Sequence, residues 1–313
     1  MDDRDKKMSD EGLYGRKEFV VTMTKALGAS ALFMTPIAGM ATMDEATQQP
    51  ALTVQQIMDL VLKEIPGAPF KETVDTLKSG SADQKVTGIV TTMFATNDII
   101  QKTADLGANF IIAHEPTFYN HQDQTDWLEN DTTYKYKRDL LNKHGITVWR
   151  FHDYLHAHKP DGVQIGVLTT LGWEKFADEK DLHVINLPVK TSLKQIVAQV
   201  KTKLGIQMVR TIGDPAQEVQ RIALFPGAAG GRRQIGWLQQ IKPDLCICGE
   251  ISEWETGEYI RDAHYIDKKS SLIVLGHAVS EEPGMQWLVS WLQPKVSGIK
   301  VTHIPSPNPF SFM

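Results

Sequence analysis

From Ala51 to the C-terminus, short apolar runs alternate with longer amphipathic stretches, and this alternation restricts the possible folds more than any other feature. Short apolar runs read as strands buried on both faces, and the intervening helical patterns read as crossovers that keep those strands parallel. Strands are predicted at 86–93, 110–113 and 148–151, with helices at 98–106 and 134–143, which makes a β-α-β-α-β unit. A helix at 54–65 precedes it, stopping before Pro66-Gly67, and a helix at 162–171 follows. Strands at 183–187 and 208–212 then flank a helix at 193–204. The first pattern next repeats, with strands at 221–225, 244–248, 272–275 and 300–304 and helices at 234–241, 253–263 and 285–292. The fold class is therefore α/β.

The repetition extends to the residues beyond the strands. Residues 86–115 can be laid on residues 219–250, each giving strand, helix, strand and then a glutamate, Glu115 or Glu250. His152 and His156 answer His277 and Glu281, a histidine just past a strand with a second ligand-type residue four positions on. An internal duplication is inferred, with residues 50–180 as one lobe and 181–313, including a C-terminal return strand, as the other. Two such lobes face each other across one cleft, because ligands in open α/β sheets bind beyond the carboxyl ends of the strands. His114, Glu115, His152, Glu250 and His277 all fall at such ends. Any one of them could be a hydrogen-bonded or solvated side chain. Together they point to a metal site, because a cluster of carboxylates is costly to bury and cations relieve it.

Composition bears on what else the chain can do. Its 313 residues, 42% hydrophobic, suffice for a full core without disulfides. Cys246 and Cys248 are expected on opposite faces of a strand, as core filling. A net charge of -5, with no basic stripe, argues against nucleic acid as a partner. No apolar stretch reaches the ~20 residues of a membrane span, so the mature chain is expected to be soluble. Residues 1–49 have the layout of an export signal: Arg16-Lys17 resembles a twin-arginine motif with lysine replacing the second arginine, ahead of a weakly apolar stretch. The expected location is the periplasm or cell envelope. The alternative is an amphipathic helix retained on a cytoplasmic protein. The loop 226–233, with Gly227, Gly230, Gly231 and Arg232, is either a phosphate cradle at a helix N-terminus or a tight turn. No Gly-x-Ser-x-Gly elbow is present, so serine hydrolysis is not supported.

In order, the segments 113–118, 152–157, 224–231, 249–252 and 276–281 resemble the motif set of the Nif-three-like family, whose members carry the name GTP cyclohydrolase I type two homologue. The resemblance runs from about Leu52 to Pro305. It implies two similar α/β lobes with mixed sheets facing a shared cleft, a homohexameric ring, and a dinuclear centre of divalent ions (Zn, Fe, Mn, Co or Ni). There is no room for the extra domain that some members insert between the lobes. The expected ligands are His114, Glu115, His156, His277 and Glu281. His152 and Glu250 are expected to move protons during hydrolysis of a small-molecule substrate, a nucleotide or another heterocycle. A metal-binding scaffold without catalysis is the alternative. The family's first motif has two adjacent histidines and its second ends in aspartate, whereas this chain has Glu115 and His156 at those places. A carboxylate and an imidazole have exchanged positions. Glu253-Trp254-Glu255 also stands where members often carry histidine.

Overall fold

A computed structural model describes residues 51–311 and Met313. The export-like segment lies outside the described residues. Helix α1 (Val54–Leu62) opens the fold, with a capping box in which Thr53 and Gln56 satisfy each other's backbone donors. Strands β1 (Leu77–Ser79), β2 (Ile89–Thr92), β3 (Phe110–Ala113) and β4 (Thr147–Arg150) follow, with α2 (Asn97–Asp105) and α3 (Thr132–His144) as crossovers. After β4 come α4 (Asp153–Ala157) and α5 (Gly162–Leu171). Next are β5 (Val184–Ser192), α6 (Leu193–Leu204), β6 (Arg210–Ile212) and β7 (Glu218–Phe225). The chain continues through α7 (Gly231–Ile241), β8 (Leu245–Cys248), α8 (Glu258–Asp267), β9 (Ser271–Val274), α9 (His277–Leu292) and β10 (Val301–His303).

Two five-stranded mixed sheets result. The first has the order β1-β4-β3-β2-β10, with only β1 antiparallel, and the second the order β5-β7-β8-β9-β6, with both edge strands antiparallel. Ile89, Phe110 and Thr147 stand abreast in the first, as Ile222, Leu245 and Ser271 do in the second. The run β1-β2-α2-β3-α3-β4 matches β6-β7-α7-β8-α8-β9 element for element. Inner strands β2, β3, β4, β8 and β9 are buried along their whole length, which is why they read as continuous apolar runs.

After the last strand of each run, a helix crosses over to the other sheet. Val167, Leu168 and Leu171 of α5 pack with Ile222, Leu224 and Ile247 of the second sheet. Met285, Leu288 and Leu292 of α9 pack with Ile89, Phe110 and Trp149 of the first. Residues 162–171 thus cover the second sheet, while 277–303 serve the first, through α9 and the pairing of β10 with β2. The inner layer between the sheets holds α5 and α9 in direct contact. A Cβ on Gly166 would stand 2.6 Å from Gly284 Cα, so the two helices meet backbone to backbone.

Several expectations need correction. Helix α9 starts at His277, eight residues before the predicted start at Met285, because Pro283-Gly284 reads as a breaker. Proline there forfeits one helical hydrogen bond, but Gly284 gives α5 the close approach that the packing requires. The helix predicted at 253–263 divides into a π-helical turn, Glu253–Gly257, and α8. Strand β5 runs on to Ser192, its edge position tolerating Pro188. The cysteines do not face opposite ways. With a period of two, Cys246 and Cys248 share one face and lie in one core cluster, with Ile247 in the other. Both are free and buried. Among the described residues, no helix is long and apolar enough to cross a membrane.

Candidate metal centre

The carboxyl ends of β3, β4, β8 and β9 converge on one cluster of imidazoles and carboxylates. His114 and Glu115 follow β3 directly and are both buried. His152 caps α4 and His156 lies on it, one turn apart, with the His156 amide donating to the His152 carbonyl. His277 and Glu281 occupy the first turns of α9, and their side chains meet at 3.0 Å. The exchanged pair is part of the cluster: Glu115 Oε1 is 3.1 Å from His277 Nε2 and 3.8 Å from His152 Nε2. The His156 ring is 5.2 Å from that of His114 and 5.0 Å from that of His152.

Each of the four imidazoles has Nδ1 engaged by an oxygen acceptor. His114 Nδ1 meets the Phe151 carbonyl at 3.1 Å, and His152 Nδ1 meets Asp153 at 2.9 Å. His156 Nδ1 meets Asp161 at 3.0 Å, and His277 Nδ1 meets Glu250 at 3.0 Å. Such outer partners fix ring orientation and turn Nε2 toward the centre, the arrangement typical of metal-ligating histidines, although His277 Nε2 already meets Glu115 and Glu281. The electrostatics agree at His114. Burial pushes His114 down to about 4, so it is neutral at ordinary pH and its Nε2 offers a lone pair. Burial works against the ionised form of Glu115, but the His277 hydrogen bond and the neighbouring histidines outweigh it and hold the carboxyl at about 2. Burial also opposes charge on His277, yet Glu115 and Glu281 together raise it to about 11. His277 is thus held as the imidazolium that the two carboxylates surround.

Two atoms test whether a metal fits. His114 Nε2 and Glu281 Oε2 are buried, 3.5 Å apart; His114 Nε2 has no hydrogen-bond partner, and Glu281 Oε2 meets only the His277 ring at 3.0 Å, outside hydrogen-bond alignment. Leaving such groups unpaired costs about 1–3 kcal/mol each, and more for a carboxylate. An ion ligated by both removes that cost. Two triads, His114/His152/His156 and His114/Glu115/Glu281, have donor atoms within 4.8 Å of one another. The residues fit a metal.

The remaining expected positions divide. Glu250 is half exposed and orients His277 from outside. Gly227 belongs to the centre, because a Cβ there would stand 2.1 Å from Glu281 Oε1, so only glycine leaves that carboxylate in place. Gly230, Gly231 and Arg232 lie apart at the start of α7, beside Glu255, whose carboxylate would be 2.3 Å from a Cβ on Gly231. Glu253 pairs with Arg210 and Trp254 is exposed to solvent.

Sequence reasoning missed several supporting residues. Arg150, fully buried, donates to the His114 carbonyl and stands 3.6 Å from Glu115. Asp75, pushed up to about 6 by burial, accepts the amides of His152 and Tyr154 and so holds the start of α4. Asp161 anchors His156 while capping α5. His121 sits at the rim, its ring 5.6 Å from that of His152. A charged residue ending the apolar run of β4 was the one available signal, for Arg150. Next to the centre, a cavity of about 820 Å³ opens against His277 and Glu250, with Phe94, Leu204, Met208 and Phe310 among its walls.

Residues 53–309 match the family model Duf34/NIF3 (NGG1p interacting factor 3). Among curated relatives, a GTP cyclohydrolase 1 type 2 homolog of Neisseria meningitidis serogroup B is 29% identical over 71% of this chain and 84% of the relative. Another of that name, from Clostridium perfringens, is 23% identical over 71% and 85%. Among solved structures, Staphylococcus aureus hypothetical protein SA1388 superposes with a TM-score of 0.69 at 20% identity, over 85% of this chain and 100% of that one. A Bacillus cereus protein related to NIF3 gives 0.69 at 15% identity, with the same coverage. At these identities, the structures speak for the fold.

Proposed function

This chain belongs to the Duf34/NIF3 family, and from that premise we propose that it is a metal-dependent hydrolase acting on a small heterocyclic or amide substrate, a nucleotide included. The observation that carries the reading is the buried, unpaired His114 Nε2, 3.5 Å from Glu281 Oε2 and surrounded by three further histidines whose Nδ1 atoms are already anchored. His114, Glu115, His156, His277 and Glu281 would hold two divalent ions. Bound there, such ions supply Lewis acidity for hydrolytic attack and neutralise developing negative charge.

The chain's own residues do the rest. Glu281, fixed against Gly227, faces both His114 and His277 and would help to hold the ions. The His277 hydrogen bond and the neighbouring histidines keep Glu115 ionised, and Arg150 flanks it at 3.6 Å. Glu250 orients His277 and, being half exposed at the mouth, can take a proton out to solvent. The adjoining cavity gives a ring-sized substrate room beside His277. The relatives' name, GTP cyclohydrolase 1 type 2 homolog, favours a nucleotide or similar heterocycle. The proposal extends to a homohexameric assembly, to be checked by light scattering after size exclusion.

The test is turnover by metal-loaded protein across a panel of cyclic amidines, lactams and nucleotides. His277→Ala should retain the circular dichroism spectrum and lose turnover by more than a hundredfold, the order of the largest single-group effects in preorganised sites (~10²–10³). Inertness of the metal-loaded wild type across the panel would refute catalysis and leave a metal-binding scaffold.

A further inference from the structure

The ligand-type residues separate by chemistry. On one side are three imidazoles, His114, His152 and His156, with ring centroids 4.7, 5.2 and 5.0 Å apart and one donor atom from each within 4.8 Å of the others. Each ring is tethered through Nδ1 to a different acceptor, Phe151, Asp153 or Asp161, so the rings converge without competing for a partner. On the other side, His277 Nε2 stands 3.1 Å from Glu115 Oε1 and 3.0 Å from Glu281 Oε2. The border between the two groups is His114, whose buried Nε2 stands 3.5 Å from Glu281 Oε2 and which also has a donor atom within 4.8 Å of donors on Glu115 and Glu281.

We propose that the centre is two unlike sites, an all-imidazole site of His114, His152 and His156 and a carboxylate-rich site of Glu115, His277 and Glu281, with His152 a metal ligand. This rests on the metal-centre reading above and sharpens it, moving His152 from proton carrier to ligand. Three imidazole nitrogen donors suit zinc, whereas two carboxylates with one imidazole suit a harder ion such as manganese. The exchange of Glu115 and His156 is what sorts the donors. His156 completes the imidazole triangle, and Glu115 joins Glu281 where Arg150 offsets part of the added charge. The two sites are expected to differ in metal preference and in order of loss to a chelator.

The experiment uses the full chain, stripped by chelation and reloaded with one equivalent of zinc and excess manganese. Metal content, zinc-edge X-ray absorption and manganese electron paramagnetic resonance are the readouts. The wild type should hold one zinc, with a first shell dominated by nitrogen at about 2.0–2.1 Å, and one manganese. His152→Asn should keep the manganese signal and lose zinc by more than the ~10–100-fold that removal of an outer hydrogen-bond partner costs. Asp153→Asn, which disturbs only the tether, should fall within that range. Glu115→Gln should keep zinc and lose manganese. The proposal is overturned if His152→Asn keeps zinc within that range, or if the zinc shell of the wild type is mainly oxygen. Failure of the wild type to hold either ion would instead remove the metal-centre reading itself. Circular dichroism of each variant separates ligand loss from misfolding.

Discussion

His114 is the most deeply buried of the ligand-type residues at the centre. Its ring is sealed from solvent, its Nδ1 is tied to the Phe151 carbonyl, and burial keeps it neutral above about 4, so Nε2 is a donor with nothing to donate to except a cation. Glu115 and His156 show the same economy in exchanged form. The change Glu115→His removes one of the negative partners of His277 and leaves Arg150 facing imidazole, and His156→Asp sets a second carboxylate beside Asp161. Each single change should lower metal content measured by elemental analysis, and the double exchange should restore part of it. A double variant no better than either single one would show that the two positions do not compensate. A residue outside the centre gives a pH effect. Lys137 is buried, donates to the Thr117 carbonyl at 2.8 Å, and is pushed down by burial to about 8. Its folded value lies below the unfolded value of ~10.4, so the unfolded chain binds the extra proton and stability rises with pH between about 8 and 10. Denaturant unfolding at pH 8 and pH 10 should show this rise in the wild type and a flatter profile in Lys137→Met. Equal slopes would remove burial of the ammonium as its cause.

At the scale of elements, α4 and α9 turn sequence spacing into geometry. His152/His156 and His277/Glu281 are pairs four apart, which meet only in helical backbone, and both segments are helical there. The positions were legible because parallel strands announce themselves as apolar runs and the ligand-type residues come directly after them. The start of α9 was not, because Pro283-Gly284 is a local stop signal overruled by a contact with α5 more than a hundred residues earlier in the chain. That contact yields a sharp expectation. A methyl on Gly166 would meet the Gly284 backbone at 2.6 Å, so Gly166→Ala should destabilise the fold by about 1–3 kcal/mol, the range for overpacking a tight core. It should also weaken metal retention, since α9 carries His277 and Glu281. Thermal unfolding with a parallel chelator competition checks both. Loss of stability with unchanged metal affinity would mean that α9 does not transmit the crossing to the centre.

In the whole molecule, two sheets of matching topology each send one helix to cover the other, and the centre lies where their strand ends meet. The α/β class, the repeat and the position of the ligand-type residues could be read from 313 letters because they depend on local periodicity and residue order. The crossing of α5 and α9, the return of β10 to the first sheet, and the roles of Arg150, Asp75 and Asp161 could not, because each depends on a partner far away in sequence. The same long-range closure brings Glu115 from one repeat to His277 of the other, so neither half of the duplication holds the centre alone. The most direct test of the account is anomalous scattering at metal absorption edges from crystals of the purified chain, paired with elemental analysis. The account predicts two ions per chain, one beside His114, His152 and His156 and one beside Glu115, His277 and Glu281. Anomalous maps without a peak at this cluster, from protein that elemental analysis finds free of transition metals even after reloading, would contradict it.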